Sequence, residues 1–358
     1  MVPLVIPTRN RPMSLSFLLK YLGEFNPGQR VVIANGSHHS YLAAYEEAVR
    51  DNDSLLQIEY KEYDSGLHFR DRMVDCVSGL DDDIIFVGAD DDFPVLDTLY
   101  QGVEFLRANH DHVVAIGGII CLSMLDEDQF NAKFLHAFSL QDEDIVSRLS
   151  KYSQWAFATS YAATRRDHYL ERCNNLQLNA MKIFGDYNVG LHDCLAGKIK
   201  ALPEIGYFTT KLATHSRFGP PSRLHYLEHA QETLNLRDYY TEKIASTTAI
   251  DNQEARSIAD KLIAMKIAHW TGGSPQFLDG FGCSSLFRDE TVRKQYDAFQ
   301  DLFRQGTAEQ KKLGGNLRKV VDAMLEISEA NSDNHGEPEK YDSIEYFLAS
   351  TNGGISRP

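Results

Sequence analysis

Three consecutive carboxylates, Asp90, Asp91 and Asp92, follow a short apolar run from Ile84 to Val87. Four apolar residues between polar breakers read as a buried strand, so the triplet falls at that strand's carboxyl end. In an open α/β sheet, ligands bind at that edge. Adjacent carboxylates repel one another unless a positive charge neutralises them. A hard divalent cation carrying phosphate oxygens suits such a cluster, because Mg2+ and similar ions are held by one or two carboxylates plus a substrate phosphate. Asp90 and Asp92 form an Asp-X-Asp pair within it. An earlier triplet, Asp81 to Asp83, precedes the strand and belongs to the opposite sheet edge, where a solvated acidic turn is expected.

Fixed positive charge is expected on the same edge as the second triplet. Residues 2–6 form an apolar strand, and Pro7-Thr8-Arg9-Asn10-Arg11-Pro12 leaves its carboxyl end as a stiff cationic loop. Arginine presents a planar fork that matches phosphate oxygens, so Arg9 and Arg11 are candidate phosphate ligands. Arg70 and Arg72 lie in the early turns of a predicted helix over 67–77; one is expected to reach the site and the other solvent. Asp186, after Gly185, is a candidate general base for a hydroxyl nucleophile, or a helix N-cap, for which Asp is a preferred type. His215 is a candidate metal ligand or phosphate contact, weighed against the chain's thirteen histidines, most of which must be structural or solvated.

These residues need strands and helices to hold them. Apolar runs at 31–34, 84–87 and 113–120 and an alternating run at 57–60 read as strands, interleaved with helical spacing at 13–22, 41–50, 67–77 and 97–108, the last with Asp97 as its expected cap. Such alternation implies a doubly wound, mostly parallel Rossmann-like sheet. Residues 126–144 read as a loop-rich insertion over the site. Strand signals recur at 155–163, 199–202 and 207–212, with a short helix at 166–173. Gly219-Pro220-Pro221-Ser222 is the clearest break. Beyond it, 222–246, 251–270, 290–304 and 307–329 have helical periodicity, 343–348 reads as a last helix, and 351–358 as a tail. The expected organisation is a catalytic domain over 1–218, divided near 120, and a helical C-terminal domain over 222–350.

Composition sets outer bounds. The 358 residues are 43% hydrophobic and 24% charged, which fits a globular chain. A net charge of −15 argues against nucleic acid as a partner. No stretch approaches the ~20 apolar residues of a membrane span, and the N-terminus reads as a strand rather than a signal peptide. Five cysteines without a CxxC pair read as free thiols. The expected localisation is cytoplasmic, extending to peripheral association with the inner face of a membrane.

Val5 to Pro12, Val31 to Ser37 and Phe86 to Phe93, followed by Gly185-Asp186 and Lys200 to Pro203, resemble the family 2 type of nucleotide-sugar glycosyltransferase, whose fold is called GT-A. The resemblance covers roughly residues 2–218. It implies metal-assisted transfer of a sugar from a nucleoside-diphosphate sugar to a glycan, lipid-linked or small-molecule acceptor. Pro7, Thr8, Arg9, Arg11 and Asn35 would then hold the donor with Arg70, Arg72, Asp90 and Asp91. Asp92 and Asp90, with His215, would hold Mn2+ or Mg2+, and Asp186 would be the base of an inverting reaction. Ala34 and Ala89 depart from the family pattern, which carries acidic residues there. Two other readings stay open. A sugar nucleotidyltransferase would need a glycine-rich first loop, and none lies between Pro7 and Leu22. A degenerate nucleotide- or carbohydrate-binding protein would accommodate Ala34 and Ala89. Homodimerisation through the helical part is a further expectation.

Overall fold

A computed structural model describes residues 1–126, 129–135, 137–175, 184–211 and 230–271. The chain opens with β1 (Leu4–Thr8) and α1 (Pro12–Phe25). Pro12 stands in the first turn of α1, where its missing N–H has no partner to lose; Leu15, Leu18, Leu19 and Leu22 form the buried stripe. Next come β2 (Arg30–Asn35), α2 (Leu42–Asn52), β3 (Gln57–Glu62), α3 (Phe69–Ser78) and β4 (Ile84–Val87). The second half contains β5 (Asp92–Pro94), α4 (Leu96–Ala108), β6 (His112–Asp126), β7 (Gln129–Leu135), α5 (Ile145–Trp155), β8 (Ala163–Arg165), α6 (Arg166–Asn175), α7 (Gly185–Ala196) and β9 (Lys198–Lys211). Two long helices, α8 (Ala230–Thr247) and α9 (Asn252–Thr271), follow.

The strands form one sheet in the order β3-β2-β1-β4-β8-β6-β9-β5, with β7 paired to β6. The block β3-β2-β1-β4 is parallel throughout, and β6 and β9 run parallel to each other; β8, β5 and β7 join antiparallel. β1 has β2 on one side and β4 on the other, so the strand order reverses there. A crevice opens beyond the carboxyl ends of strands at such a reversal, and the loops after β1 and β4 are the ones carrying Arg9, Arg11 and the second acidic triplet. Side chains alternate across the block. Leu4, Ile6, Ile84 and Phe86 face a core shared with α1 and α4. Val5, Val32, Ile85 and Val87 face a smaller core with Met73, Cys76 and Val77 of α3 and Tyr169 and Cys173 of α6.

Several elements differ from the sequence expectation, each for a local reason. The candidate at 155–163 is not a strand: only its last residue, Ala163, is extended, as the start of β8. α5 runs to Trp155, started by Asp144 accepting from the Ser147 amide at 2.8 Å, and Arg148, Leu149, Tyr152 and Ser153 form one buried helical stripe. The insertion over 126–144 begins as a hairpin, because β6 continues to Asp126 and returns as β7. The two strand candidates at 199–202 and 207–212 are one strand, β9, whose register against β6 slips between Ala201 and Ile205. At this slip Gly117 lies against the Gly206 backbone, leaving no room for a side chain. Asp97 does not cap α4: Val95 is the N-cap, since β5 runs straight into the helix, and Asp97 sits in the first turn.

Leu236, Tyr240 and Ile244 of α8 and Ala255, Ala259, Leu262 and Ile263 of α9 belong to the same core as the sheet. The break at 219–222, His215 and every element expected beyond 271 lie outside the described residues. Among the described residues, no helix is long and apolar enough to cross a membrane.

α7 must pass close to α5, and Gly190 permits it: a Cβ there would overlap the ring of Tyr152, itself fully buried and bonded to the Phe157 carbonyl. Gly190→Ala is expected to cost about 1–3 kcal/mol of stability, the range for overpacked cores. Denaturant unfolding checks this, and an unchanged midpoint would contradict the packing described.

Candidate functional site

The crevice at the strand reversal is a cavity of about 520 Å³. Pro7 and Thr8 at the end of β1 and Arg9 and Arg11 after it line the cavity with Arg72 of α3; Gly88 and Ala89 after β4, and Ser160 and Tyr161, form another part of the wall. Tyr169, Arg172 and Cys173 of α6 and Gly185 and Asp186 of α7 complete it. Although the chain carries a net charge of −15, four arginines face this cavity, and Asp186 is the one carboxylate among its lining residues.

Local hydrogen bonding explains how the first loop holds its shape. Asn10 adopts a left-handed backbone, φ 57°, which Asn tolerates better than most residues. Its amide donates to Ser37 Oγ at 2.7 Å, and its Oδ1 accepts from the His38 amide at 2.9 Å, pinning the β1 loop to the β2 loop. Asn35 is fully buried, donates to the Tyr60 hydroxyl at 2.6 Å and accepts from the Ser37 amide, so it shapes this turn from beneath. Thr8 donates to Asp90 Oδ2 at 2.6 Å. That uses its only proton, so Tyr45 must donate to Thr8 Oγ1 across their 2.7 Å contact. The Tyr45 oxygen in turn accepts from the Arg11 amide at 2.8 Å.

Arg72 is the least compensated charge at the site. It is buried to 4% exposure, and its Nη1 donates to the Thr8 carbonyl at 2.9 Å. Its Nε is buried without a hydrogen-bond partner. Burial first, and neighbouring Arg9 second, hold its guanidinium below the usual arginine range. Arg9 is exposed and donates to the Ser65 carbonyl at 3.1 Å. Among the described residues, neither has a carboxylate at ion-pair distance. Two guanidinium groups sharing a wall with only carbonyl partners form a seat for an anion. Arg70, by contrast, pairs with Asp71 at 2.8 Å and is not among the lining residues. Spacing had left the two arginines undecided; the structure takes Arg72 inward.

The acidic triplet stands behind this wall, outside the lining residues. Asp90 is fully buried; desolvation pushes its carboxyl up to about 6 against the opposing effects of Arg11 and Thr8. Arg11 bridges Asp90 Oδ1 and Asp91 Oδ2, each at 2.5 Å, although the Asp90 contact lacks hydrogen-bond geometry. Asp92 is buried at the start of β5, and its charge adds to the burial that pushes the Tyr161 hydroxyl well above its usual range. The donor set is all oxygen, and Asp90 is a buried carboxylate that a stronger local cation would keep ionised, so these residues fit a hard divalent ion. The first triplet sits apart, as expected: Asp82 pairs with Arg30 at 2.7 Å and the Asp83 carbonyl accepts from the Arg166 amide.

Asp186, another lining residue, lies exposed in the first turn of α7, while Phe184 is the N-cap and makes no side-chain cap bond. Asp186 is therefore not the helix cap that composition alone allowed. Deeper in the same wall, Asp193 accepts from Thr159 at 2.5 Å, His168 at 2.6 Å and Arg172 at 3.0 and 3.2 Å. These partners keep its carboxylate well below the usual range despite complete burial. His168, His192 and Asp193 offer ligand atoms within 4.8 Å of one another. The carboxylate is already occupied by a guanidinium, however, and a second cation there would face Arg172, so we read the cluster as a neutral structural node. Burial drives His192 down to about 4, which keeps it uncharged at neutral pH.

No protein-family model matches the sequence, and no curated protein does. Solved structures do match. S. aureus TarS residues 1–349 aligns with 100% of this chain and 93% of its own, at a TM-score of 0.50 and 14% identity. The longer TarS structure aligns with 87% of this chain at a TM-score of 0.51 and 13% identity, but only 54% of that chain is covered, so this protein spans about half its length. TarS 1–349 has also been solved with UDP-GlcNAc; that structure aligns at a TM-score of 0.49 and 13% identity, covering 100% of this chain and 93% of its own. The fold is GT-A-like. In this GT-A-like frame the β1 loop, the β4 loop and the start of α7 meet at one cavity, which brings together Pro7, Thr8, Arg9, Arg11, Arg72 and Asp186. Sequence reasoning missed Arg172 and Tyr161. Arg172 looked like any charged residue of a short helix, and Tyr161 was absorbed into a strand that does not form.

Gly36 leaves the space that Arg72 fills, since a Cβ there would overlap Arg72 Nη1. Arginine is flexible enough to move aside, so Gly36→Ala is expected to weaken nucleoside-diphosphate binding about tenfold or more while shifting the melting temperature little. Calorimetric titration with UDP and GDP checks this; unchanged affinity for whichever binds would remove Arg72 from the anion seat.

Proposed function

We propose that this protein is a metal-dependent glycosyltransferase that moves a sugar from a nucleoside-diphosphate sugar to an acceptor hydroxyl by a single inverting displacement, in glycan or polysaccharide assembly. The observation that carries the reading is that Arg9, Arg72 and the Asp186 carboxylate line one cavity. A diphosphate on the arginine wall would leave the sugar's anomeric carbon toward Asp186. When bound, Mn2+ or Mg2+ neutralises the charge that develops on the diphosphate leaving oxygen. Asp90, Asp91 and Asp92 would hold that ion. Arg11, now bridging Asp90 and Asp91, would then turn to the phosphate. Asp186 takes the proton of the attacking hydroxyl from the opposite side of the sugar. Its place in the first turn of α7 puts the carboxylate at the positive end of the helix.

In this reading residues 1–218 are the catalytic unit, and the helices beyond 222 belong to the acceptor side. Three other carboxylates of the second half are already engaged: Asp142 pairs with Lys151 at 2.7 Å, Glu143 with Lys198 at 2.5 Å, and Asp144 caps α5. The alternative of a catalytically degenerate binding protein is separated by metal-dependent hydrolysis of a panel of nucleotide sugars, since transferases slowly hydrolyse their donors. Hydrolysis of one donor supports the transferase; binding without turnover supports the degenerate protein.

Two substitutions test the assignments. Asp186→Asn is expected to lower turnover by about 10²–10⁴-fold with donor affinity and melting temperature near normal. A sharp fall in melting temperature with full turnover per folded molecule would make Asp186 structural. Asp92→Asn is expected to abolish metal-dependent donor binding and Asp82→Asn to leave it intact, measured by titration with and without Mn2+; equal losses would mean the metal site is misplaced.

A further inference from the structure

Of the four arginines that line the cavity, Arg11 is the one that also pairs with the acidic triplet: Nη2 lies 2.5 Å from Asp90 Oδ1, and Nη1 donates to Asp91 Oδ2 at 2.5 Å. Arg9 and Arg72 donate to carbonyls, and Arg172 is held by Asp193. The two contacts of Arg11 are unequal. That to Asp91 is a hydrogen bond, whereas Asp90 Oδ1 is buried and has no hydrogen-bond partner despite the nearby nitrogen. A guanidinium must aim its N–H bonds to satisfy an oxygen, and a metal ion has no such direction to aim. Arg11 therefore balances the charge of Asp90 without satisfying its oxygen. The backbone of Arg11 is anchored, because its amide donates to the Tyr45 hydroxyl at 2.8 Å and Pro12 follows in the first turn of α1. Its side chain keeps 36% exposure, so leaving the triplet would disturb no core packing.

We propose that Arg11 couples the metal ion to the diphosphate: it rests on Asp90 and Asp91 when no donor is bound, is displaced by the ion, and is then taken up by the donor phosphates. The inference rests on the metal-dependent donor site proposed above and adds to it an internal competitor that makes the two ligands bind as a pair. Two cations on the same carboxylates repel each other. The ion alone must expel Arg11 and leave its guanidinium unpaired, which weakens ion binding. A diphosphate alone meets Arg9 and Arg72 but finds Arg11 engaged. With both present, the ion sits on the carboxylates and the guanidinium on phosphate, which its planar fork matches. Each ligand then raises the affinity for the other by the same factor, about 5–150-fold in typical coupled sites. The ion's own bond to phosphate contributes to that factor in any case; the share due to Arg11 is lost on substitution.

The test is calorimetric titration of the full chain with Mn2+ alone, and with UDP and GDP in the presence and absence of Mn2+. Binding heat that disappears in Asp92→Asn is assigned to the triplet. Arg11→Gln removes the competitor and the phosphate contact together. It is expected to bind Mn2+ alone about tenfold more tightly than the wild type and, in saturating Mn2+, to bind the nucleoside diphosphate about tenfold more weakly. The opposite signs separate the proposal from simpler roles. A residue that only contacts phosphate leaves the affinity for Mn2+ alone unchanged; one that only neutralises the triplet leaves the diphosphate affinity unchanged or raised. Either result overturns the proposal. Arg11→Lys keeps a cation but loses the fork, and should fall between wild type and Arg11→Gln for both ligands. If Arg11→Gln does not fold, Arg11→Lys decides: wild-type affinities for both ligands overturn the proposal. A wild-type protein that binds the diphosphate equally well with and without Mn2+, and binds no Mn2+ at the triplet, would instead refute the metal site itself, and the coupling with it.

Discussion

A buried guanidinium without a carboxylate is the constraint on which the site depends. Arg72 sits under the β1 loop, bonded to the Thr8 carbonyl, with Arg9 adding to its charge. The fold holds it there by several independent means: Gly36 makes room, Asn10 and Ser37 tie the two loops together, and the smaller core anchors α3 against β1 and β2. Such an arrangement opposes stability, since burying a charge is costly unless it is paired. A ligand with closely spaced negative oxygens supplies the missing partner. In the proposed reading a diphosphate would answer Arg72, and its metal ion would be held by the neighbouring acidic triplet, where Asp90 and Asp92 are buried.

The opposite wall is built to stay rigid. Asp193, fully buried, ties Arg172 and His168 of α6 and Thr159 to α7, and Arg172 also covers the Tyr169 ring at 4.9 Å. Arg148 of α5 donates to the Cys194 carbonyl near the end of α7 at 3.0 Å. α7 is therefore fixed along its length, by ionic contacts deep in the wall and, at its start, by Tyr187 donating to the Leu262 carbonyl of α9 and Tyr240 of α8 donating to the Asn188 side chain. A base must be held within hydrogen-bond reach of the proton it takes, and in the proposed reading Asp186, exposed in the first turn of this fixed helix, would be so held.

Much of the first half could be read from residue pattern. Alternation of apolar runs with helical spacing located β1 to β4 and the helices between them, because each buries both strand faces and one helix face. The loops at the ends of β1 and β4 followed from direction alone, and the two acidic triplets were sorted by lying on opposite sides of one strand. Pattern reading failed where tertiary contacts decide. The polar Ser147 and Ser153 hid the helical stripe of α5 and left Trp155 and Tyr161 to be read as strand. Pro203 suggested two strands where β9 passes through a register slip beside Gly117 and Gly206. Arg172 and Asp193 carry no local signature, since their roles come from each other across 21 residues of chain.

The account stands on an anionic donor lying between Arg9, Arg72 and Asp186. A crystal structure with a nucleoside diphosphate and Mn2+ tests it most directly. The account predicts diphosphate density within hydrogen-bond distance of Arg72, the ion bridging that density and the Asp90–Asp92 segment, and the Asp186 carboxylate facing the open end of the diphosphate. A nucleotide bound outside this cavity, or one whose phosphates point to Asp186 and away from Arg72, would contradict it.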